Sequence, residues 1–236
     1  MLARAKYRNS LAGAARGRRV HGKVSYTRRV DRIGRTNREI EIKVRVSDLP
    51  EMLRRLGRMG GARHPRVFEQ NFLYDTPGAD FRRRGRLLRV RLERLPSGAV
   101  RGLLTYKAPP SGKPRKAQRY KERIEREVAL RDPRRADGLL RAAGFRPGFC
   151  YEKYRTSFRL PGLHLDLDET PVGIFLEVEG RPGAIERAAR ALGYTPRDFM
   201  RGTYWDLYAA DCRRRGREPK NMLFPRKKSS RSAVFA

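Results

Sequence analysis

The run Glu39-Ile40-Glu41-Ile42-Lys43-Val44-Arg45-Val46 alternates without exception, with charged residues at odd positions and β-branched apolar residues at even ones. A period of two belongs to a strand, whose side chains point to opposite faces in turn. Ile40, Ile42 and Val44 therefore need cover on one side, while Glu39, Glu41 and Lys43 stand in a row on the other. Taken alone, this fits a half-buried antiparallel strand whose charged face meets water. It also fits a row in which two carboxylates and an ammonium hold a divalent cation and an anionic group side by side.

The pattern recurs. The third strand-like segment carries Arg89 and Arg91 on one face, the fourth Thr105 and Lys107, and the fifth Glu125 and Glu127. Lys153 and Arg155, Asp166 and Asp168, and Glu177 and Glu179 follow on the sixth, seventh and eighth. Leu165 and Leu167 oppose the aspartates, and Leu176 and Val178 oppose the glutamates. Solvated exterior faces are usually mixtures of Thr, Ser, Gln and Lys, whereas here acids sit on some strands and bases on others. A sandwich with a charged exterior is one reading. In the other, helices cover the apolar faces outside and the charged faces line the inside of a closed sheet, whose lumen holds one small ligand.

The helices are marked by their ends. Ser47-Asp48-Leu49-Pro50-Glu51 opens one that Gly60-Gly61 closes, and Asp132-Pro133 opens another that Gly144 closes. Pro182–Leu192 forms a third before Gly193, and Thr203–Tyr208 lies on a last one. Val67–Tyr74 is the second strand, and Asp75-Thr76-Pro77-Gly78 turns the chain. Residues 109–118 form a polar, Pro-rich loop. With short turns between most strands, antiparallel pairing is expected. No domain boundary or fixed-period repeat falls within 38–210.

The formal net charge is +32. Much of it lies in residues 1–37 and 211–236, which read as basic, disordered extensions able to touch nucleic acid or polyphosphate non-specifically. Cys150 and Cys212 form neither a disulfide framework nor a zinc site, and His21, His64 and His164 have no metal-ligand spacing. No apolar run approaches the ~20 residues of a membrane span, so no membrane partner is expected. The expected location is the reducing cytoplasm, and a homodimer is left open. Trp205, Tyr204 and Tyr208 read as packing residues of the last helix. His64 and His164 are weak general-base candidates without a visible partner.

A charged lumen restricts its ligand, because buried charge is costly unless paired or coordinated. Lys43, Arg89, Arg91, Lys107, Lys153 and Arg155 suit a polyanion such as an oligophosphate. The acids beside them would repel it unless hard divalent cations intervene; Mg²⁺ fits, and Mn²⁺ is compatible.

Glu39-x-Glu41-x-Lys43 resembles the ExExK signature of the CYTH superfamily, the triphosphate tunnel metalloenzymes. Asn71-x-x-Tyr74-Asp75-Thr76, Leu88-Arg89-Val90-Arg91, Tyr106-Lys107, Glu125-x-Glu127, Glu152-Lys153-x-Arg155, Asp166-x-Asp168, Glu177-x-Glu179 and Thr203-Tyr204-x-x-Leu207 follow in the family's order. The likeness covers about residues 38–210 and is nearest to the bacterial class IV adenylyl cyclase branch. It implies an α+β fold with an eight-stranded antiparallel β-barrel, a tunnel of charged lumen with helices packed outside. It also implies a triphosphate on Lys43, Arg89, Arg91, Lys107, Lys153 and Arg155. One or two Mg²⁺ or Mn²⁺ ions would lie among Glu39, Glu41, Glu125, Glu127, Asp166, Asp168, Glu177 and Glu179, with Asp166 and Asp168 as alternatives. Glu39, Glu41, Lys43 and Lys107 carry the catalytic expectation.

The first expectation is a triphosphatase acting on tripolyphosphate, ATP or thiamine triphosphate. The second is a cyclase forming cyclic AMP and pyrophosphate, and the third is an inactive polyphosphate or RNA binder. The acid rows weigh against the third, since a pure polyanion binder gains nothing from them.

Overall fold

The computed structural model of the chain describes residues 37–111 and 119–225. The basic extension expected over 1–37 lies almost wholly outside the described residues, as do 112–118 of the Pro-rich loop and the last eleven positions, 226–236.

The strands are β1 (Asn37–Val46), β2 (Ala62–Arg63), β3 (Val67–Asp75), β4 (Leu87–Arg94), β5 (Val100–Ala108), β6 (Lys121–Leu130), β7 (Arg146–Leu160), β8 (Leu163–Thr170) and β9 (Gly173–Gly180). The helices are α1 (Leu49–Arg58), α2 (Asp80–Arg83), α3 (Pro133–Ala142), α4 (Pro182–Ala191) and α5 (Tyr204–Arg214). The order across the sheet is β2-β7-β3-β4-β5-β6-β1-β9-β8, and β8 pairs back onto β7. That last pairing closes β1 and β3 to β9 into an eight-stranded antiparallel barrel, with β2 as a short addition on β7. β7 achieves closure by its length of 15 residues: Arg146–Arg155 runs beside β3, while Tyr154–Leu160 runs beside β8.

The alternating strands turn their apolar faces outward, where helices cover them. Ile42, Val44, Leu165, Leu167, Leu176 and Val178 pack with Met52 and Leu56 of α1 and Ile185, Ala188 and Ala189 of α4. Leu88 and Val90 pack with Phe81 of α2 and Leu140 of α3. α1 starts where the sequence marks it, with the Asp48 side chain accepting from Glu51 N at 2.9 Å. α3 starts on Asp132, which accepts from Arg134 N and Arg135 N. Among the described residues no helix is long and apolar enough to cross a membrane.

Three features differ from the sequence expectation. The turn after β3 continues into α2, because the Asp75 carboxylate accepts from Phe81 N and Arg82 N and holds a helical turn there. β2 is too short to show a period. The folded body runs past residue 210: α5 continues to Arg214, and residues 215–225 return to β7. Met222 is fully buried, donates from N to Cys150 O and accepts from Glu152 N, while the Phe224 ring meets Tyr154 at 5.3 Å. The basic residues around it mask this local apolar anchor, and the exposed backbone edge of β7 provides its partner.

Candidate active site

The charged rows face inward and are buried together. Glu39, Glu41 and Lys43 of β1, Arg89 and Arg91 of β4, Lys153 and Arg155 of β7, and Asp166 and Asp168 of β8 all lie on the lumen. Antiparallel register then sets base opposite acid. Lys43 faces Glu177 across β1 and β9, with Nζ 3.1 Å from Oε1. Lys121 faces Glu41 at 2.7 Å, Lys107 faces Glu125 at 3.3 Å, and Lys153 faces Glu69 at 3.5 Å. Arg155 faces Asp168 and binds it with Nε and Nη2 at 2.7 and 2.6 Å. Arg91 donates to Asn71 at 3.0 Å, Arg89 to Thr105 at 3.2 Å, and Thr105 to Glu127 at 2.8 Å. Lys107 also reaches Glu39 at 2.6 Å.

Three register pairs break this rule. Glu69 faces Glu93, with Arg91 between them as counter-charge, and on the adjacent strands β1, β9 and β8 Glu41 faces Glu179 and Asp166 faces Glu177. Like charges directly opposed destabilise a sheet unless a counter-charge intervenes. Arg155 serves Asp166 and Glu177, and Lys121 serves Glu41. Carboxylate oxygens from three adjacent strands thus line one patch of the wall. Among the described residues no three acid, histidine or cysteine side chains gather tightly enough to ligate one ion as they stand. The donor chemistry fits a hard divalent cation: all oxygen, anionic, and paired with like charge.

The electrostatics follow from burial against neighbouring charge. Burial would raise the Glu69 carboxyl, but Arg91, Lys153, Arg155 and Arg89 outweigh it and hold it at about 2. Burial opposes the Lys107 ammonium, yet Glu39 and Glu125 hold its pKa above the usual lysine value. Burial would likewise raise Glu177, and Lys43, Lys153 and Arg155 keep it well below the carboxylate range. The Tyr151 phenol, buried beside Arg89, Lys153 and Arg91, is drawn below its usual value by their charge.

A cavity of about 890 Å³ occupies the lumen, lined by Glu39, Glu41, Lys43, Arg89, Arg91, Lys107, Lys153, Arg155, Asp166, Glu177 and Glu179 among others. A second cavity, of about 330 Å³, opens towards the other end, with Glu127 on its wall. Arg91, Arg155, His164 and Asp166 line both. Three of the acids singled out in the sequence, Glu125, Glu127 and Asp168, do not line the larger cavity. Asp168 is fully buried below it and accepts from Lys153, Arg155 and Tyr204.

Several site residues escaped the sequence reading. Glu69 has no exposed surface and forms ion pairs with Arg91, Lys153 and Arg155; its signal was the alternation Val67, Glu69, Asn71. Lys121 extends the row of Glu125 and Glu127, and Tyr151 that of Lys153 and Arg155. Tyr204, read as packing, reaches inside: its hydroxyl donates to Asp168 at 2.5 Å, and Lys43 and Lys153 lie 4.1 and 4.9 Å from its ring centroid. No local pattern announces that role, because a helix residue enters the barrel only through docking. His164 proves to have a partner, with Nε2 2.7 Å from Asp166.

The family model for the CYTH domain matches residues 37–204. A Methanocaldococcus jannaschii protein whose name proposes an adenylate cyclase is 27% identical over 142 residues, covering 60% of this chain and 75% of that one. A solved Pyrococcus horikoshii structure superposes with a TM-score of 0.61 at 26% identity, covering 73% of this chain and 99% of its own. A Hippeastrum protein, described as a proposed adenylyl cyclase with a dominant triphosphatase activity, has a TM-score of 0.50 at 20% identity, covering 77% of this chain and 97% of its own. With the family model matched over residues 37–204, well over half of the chain, and with the strands of that span closed into one barrel, this chain belongs to the CYTH domain family.

Proposed function

We propose that the chain is a divalent-metal-dependent phosphohydrolase that cleaves a triphosphate-bearing substrate inside the barrel. The observation that carries this reading is the shared cavity, where six bases and a patch of opposed carboxylates face the same space. Lys43, Arg89, Arg91, Lys107, Lys153 and Arg155 hold the phosphoryl oxygens, with Lys121 beside them. Glu39, Glu41, Glu177, Glu179 and Asp166 are the residues that would hold Mg²⁺ or Mn²⁺. Asp166 is preferred over Asp168, because Asp166 lines the cavity and Asp168 does not. The ion when bound neutralises charge on the phosphoryl oxygens.

The protein's own residues perform the rest. Glu39 and Glu41 orient a water and accept its proton as its oxygen bonds to the terminal phosphorus. The bond from that phosphorus to the bridging oxygen breaks, and the shortened polyphosphate leaves with the electron pair. Lys43 and Lys107 meet the charge that grows on the departing oxygen. The cyclase reading draws on the name of the Methanocaldococcus relative; in it the ribose 3′-hydroxyl attacks the α-phosphorus and pyrophosphate leaves.

The test incubates the purified full chain with Mg²⁺ or Mn²⁺ and tripolyphosphate, ATP or thiamine triphosphate, following orthophosphate, pyrophosphate and cyclic AMP. Orthophosphate release that a chelator abolishes is expected. Cyclic AMP with equimolar pyrophosphate would establish the cyclase instead, and no turnover of any triphosphate would sink the enzyme reading. Glu41→Gln is expected to abolish metal-dependent turnover while the thermal melt persists; retained activity removes Glu41 from the site.

A further inference from the structure

The lumen accounts for a triphosphate, but the larger cavity extends beyond it. At the end of the barrel where β3 finishes and β4 and β7 begin, its wall turns apolar, with Leu73, Pro77, Leu87, Phe149 and Trp205. Phosphate oxygens gain nothing from such a surface. Trp205, the one tryptophan in the chain, is only partly buried and stands edge-to-face on Phe149, with centroids 4.9 Å apart at 78°. It is held firmly. It follows Tyr204, which is anchored on Asp168, and it lies in the first turn of α5, which the Thr203 and Asp206 capping box fixes.

The same mouth carries Arg82, Arg86, Arg123 and Arg146, and among the described residues none of these guanidiniums is ion-paired with an acid. Arg123 instead donates to Gly85 O, and Arg146 to Arg141 O and Phe145 O.

We propose that Trp205 is a specificity-determining residue that stacks a neutral heteroaromatic ring carried by the triphosphate, so that the substrate is a nucleoside triphosphate. The inference rests on the reading of the lumen as a triphosphate site. Base–aromatic stacking is sequence-tolerant, since every base has a π-face. A cationic ring such as the thiazolium of thiamine meets the four arginines at the mouth and is disfavoured. Inorganic tripolyphosphate fills the charged lumen and leaves the apolar wall unused.

The single tryptophan makes the test direct. Its emission is followed while ATP, tripolyphosphate or thiamine triphosphate is added to the full wild-type chain. ATP is expected to change the emission saturably, and tripolyphosphate to compete with ATP while causing little change itself. In turnover, Trp205→Ala is expected to lower the ratio of kcat/KM for ATP to that for tripolyphosphate about fivefold or more, and Trp205→Phe to preserve most of it. Equal losses on both substrates, an emission change from tripolyphosphate as large as from ATP, or a preference for thiamine triphosphate overturns the proposal. Turnover of tripolyphosphate with no emission response to ATP removes the stacking role while the phosphohydrolase reading stands. An ATP response without turnover of any triphosphate does the reverse.

Discussion

Glu69 sits wholly inside the barrel, with its carboxylate 3.2 Å from Arg91, 3.5 Å from Lys153 and 3.6 Å from Arg155. Removing one partner of a buried ion pair leaves the other charges uncompensated, at a cost of about 3–5 kcal/mol. Glu69→Gln is therefore expected to lower the urea midpoint strongly at neutral pH. The pH dependence has a definite sign. A carboxyl held at about 2 when folded, against 4.5 as its ordinary value, adds stability above 4.5 and loses it as pH falls towards 2. Urea melts of the wild type are expected to weaken steeply across that window, and Glu69→Gln to show a shallower slope; parallel slopes would exclude Glu69 as their source. Lys107, which holds Glu39 at 2.6 Å, is expected to matter for chemistry instead. Lys107→Met should reduce triphosphate turnover about 10²–10³-fold, read as kcat at saturating substrate. Of this inner network, Lys107, Arg91, Lys153 and Arg155 were visible in the sequence as members of rows. Glu69 was not, because a single acid in an otherwise uncharged strand face is a common surface feature until its three partners are brought around it.

At the scale of elements, α5 connects the fold to the site. Thr203 caps it, accepting from Asp206 N while the Asp206 carboxylate accepts from Thr203 N at 2.7 Å. Loss of such a cap costs about 0.5–2 kcal/mol. Thr203→Ala is expected to lower the melting temperature modestly and to lower turnover more than that loss explains, since Tyr204 and Trp205 lie in the freed turn. Where β9 ends, Gly180 lies against the turn leading into β8. A Cβ there would stand 2.7 Å from Gly162 O and 2.9 Å from Leu163 Cδ2. The carbonyl cannot retreat without opening the β8–β9 ladder, so Gly180→Ala is expected to cost about 1–3 kcal/mol in a denaturant melt. The strands of the barrel were legible because each carries its own period of two, and α1 and α3 because Asp48 and Asp132 mark their starts. α2 was not legible, because the Asp75 carboxylate that organises it precedes the helix by five positions and looks like part of a turn.

The whole molecule combines a net charge of +32 with a barrel whose inward charges largely neutralise one another. A little under half of the surplus lies in the terminal sequences, so part of the affinity for polyanions at large is separable from turnover in the lumen. Removing residues 1–36 and 226–236 is expected to weaken binding to single-stranded RNA and flatten its salt dependence, as fewer counterions are released. Turnover of tripolyphosphate by the shortened chain is expected to persist; its loss would place the reaction outside the barrel. Closure also sets the limits of the site. β7 bends from β3 to β8, and this brings Glu69 and Asp168, residues of strands far apart in sequence, onto the same two bases, Lys153 and Arg155.

The amino-acid sequence alone determined which side chains share a face, because strand geometry allows only two directions and charged rows at a spacing of two recur from Glu39 to Glu179. It therefore contained the rows, their order and the chemistry of a ligand that both bases and acids must tolerate. Only the tertiary structure decided which base meets which acid, since that depends on register between strands. It set Glu41 against Glu179, buried Asp168 beneath the cavity while leaving Asp166 on its wall, and brought Tyr204 and Trp205 to the mouth. These are non-local outcomes: they arise from closing the sheet and docking a helix on its end, and no window of residues along the chain encodes them.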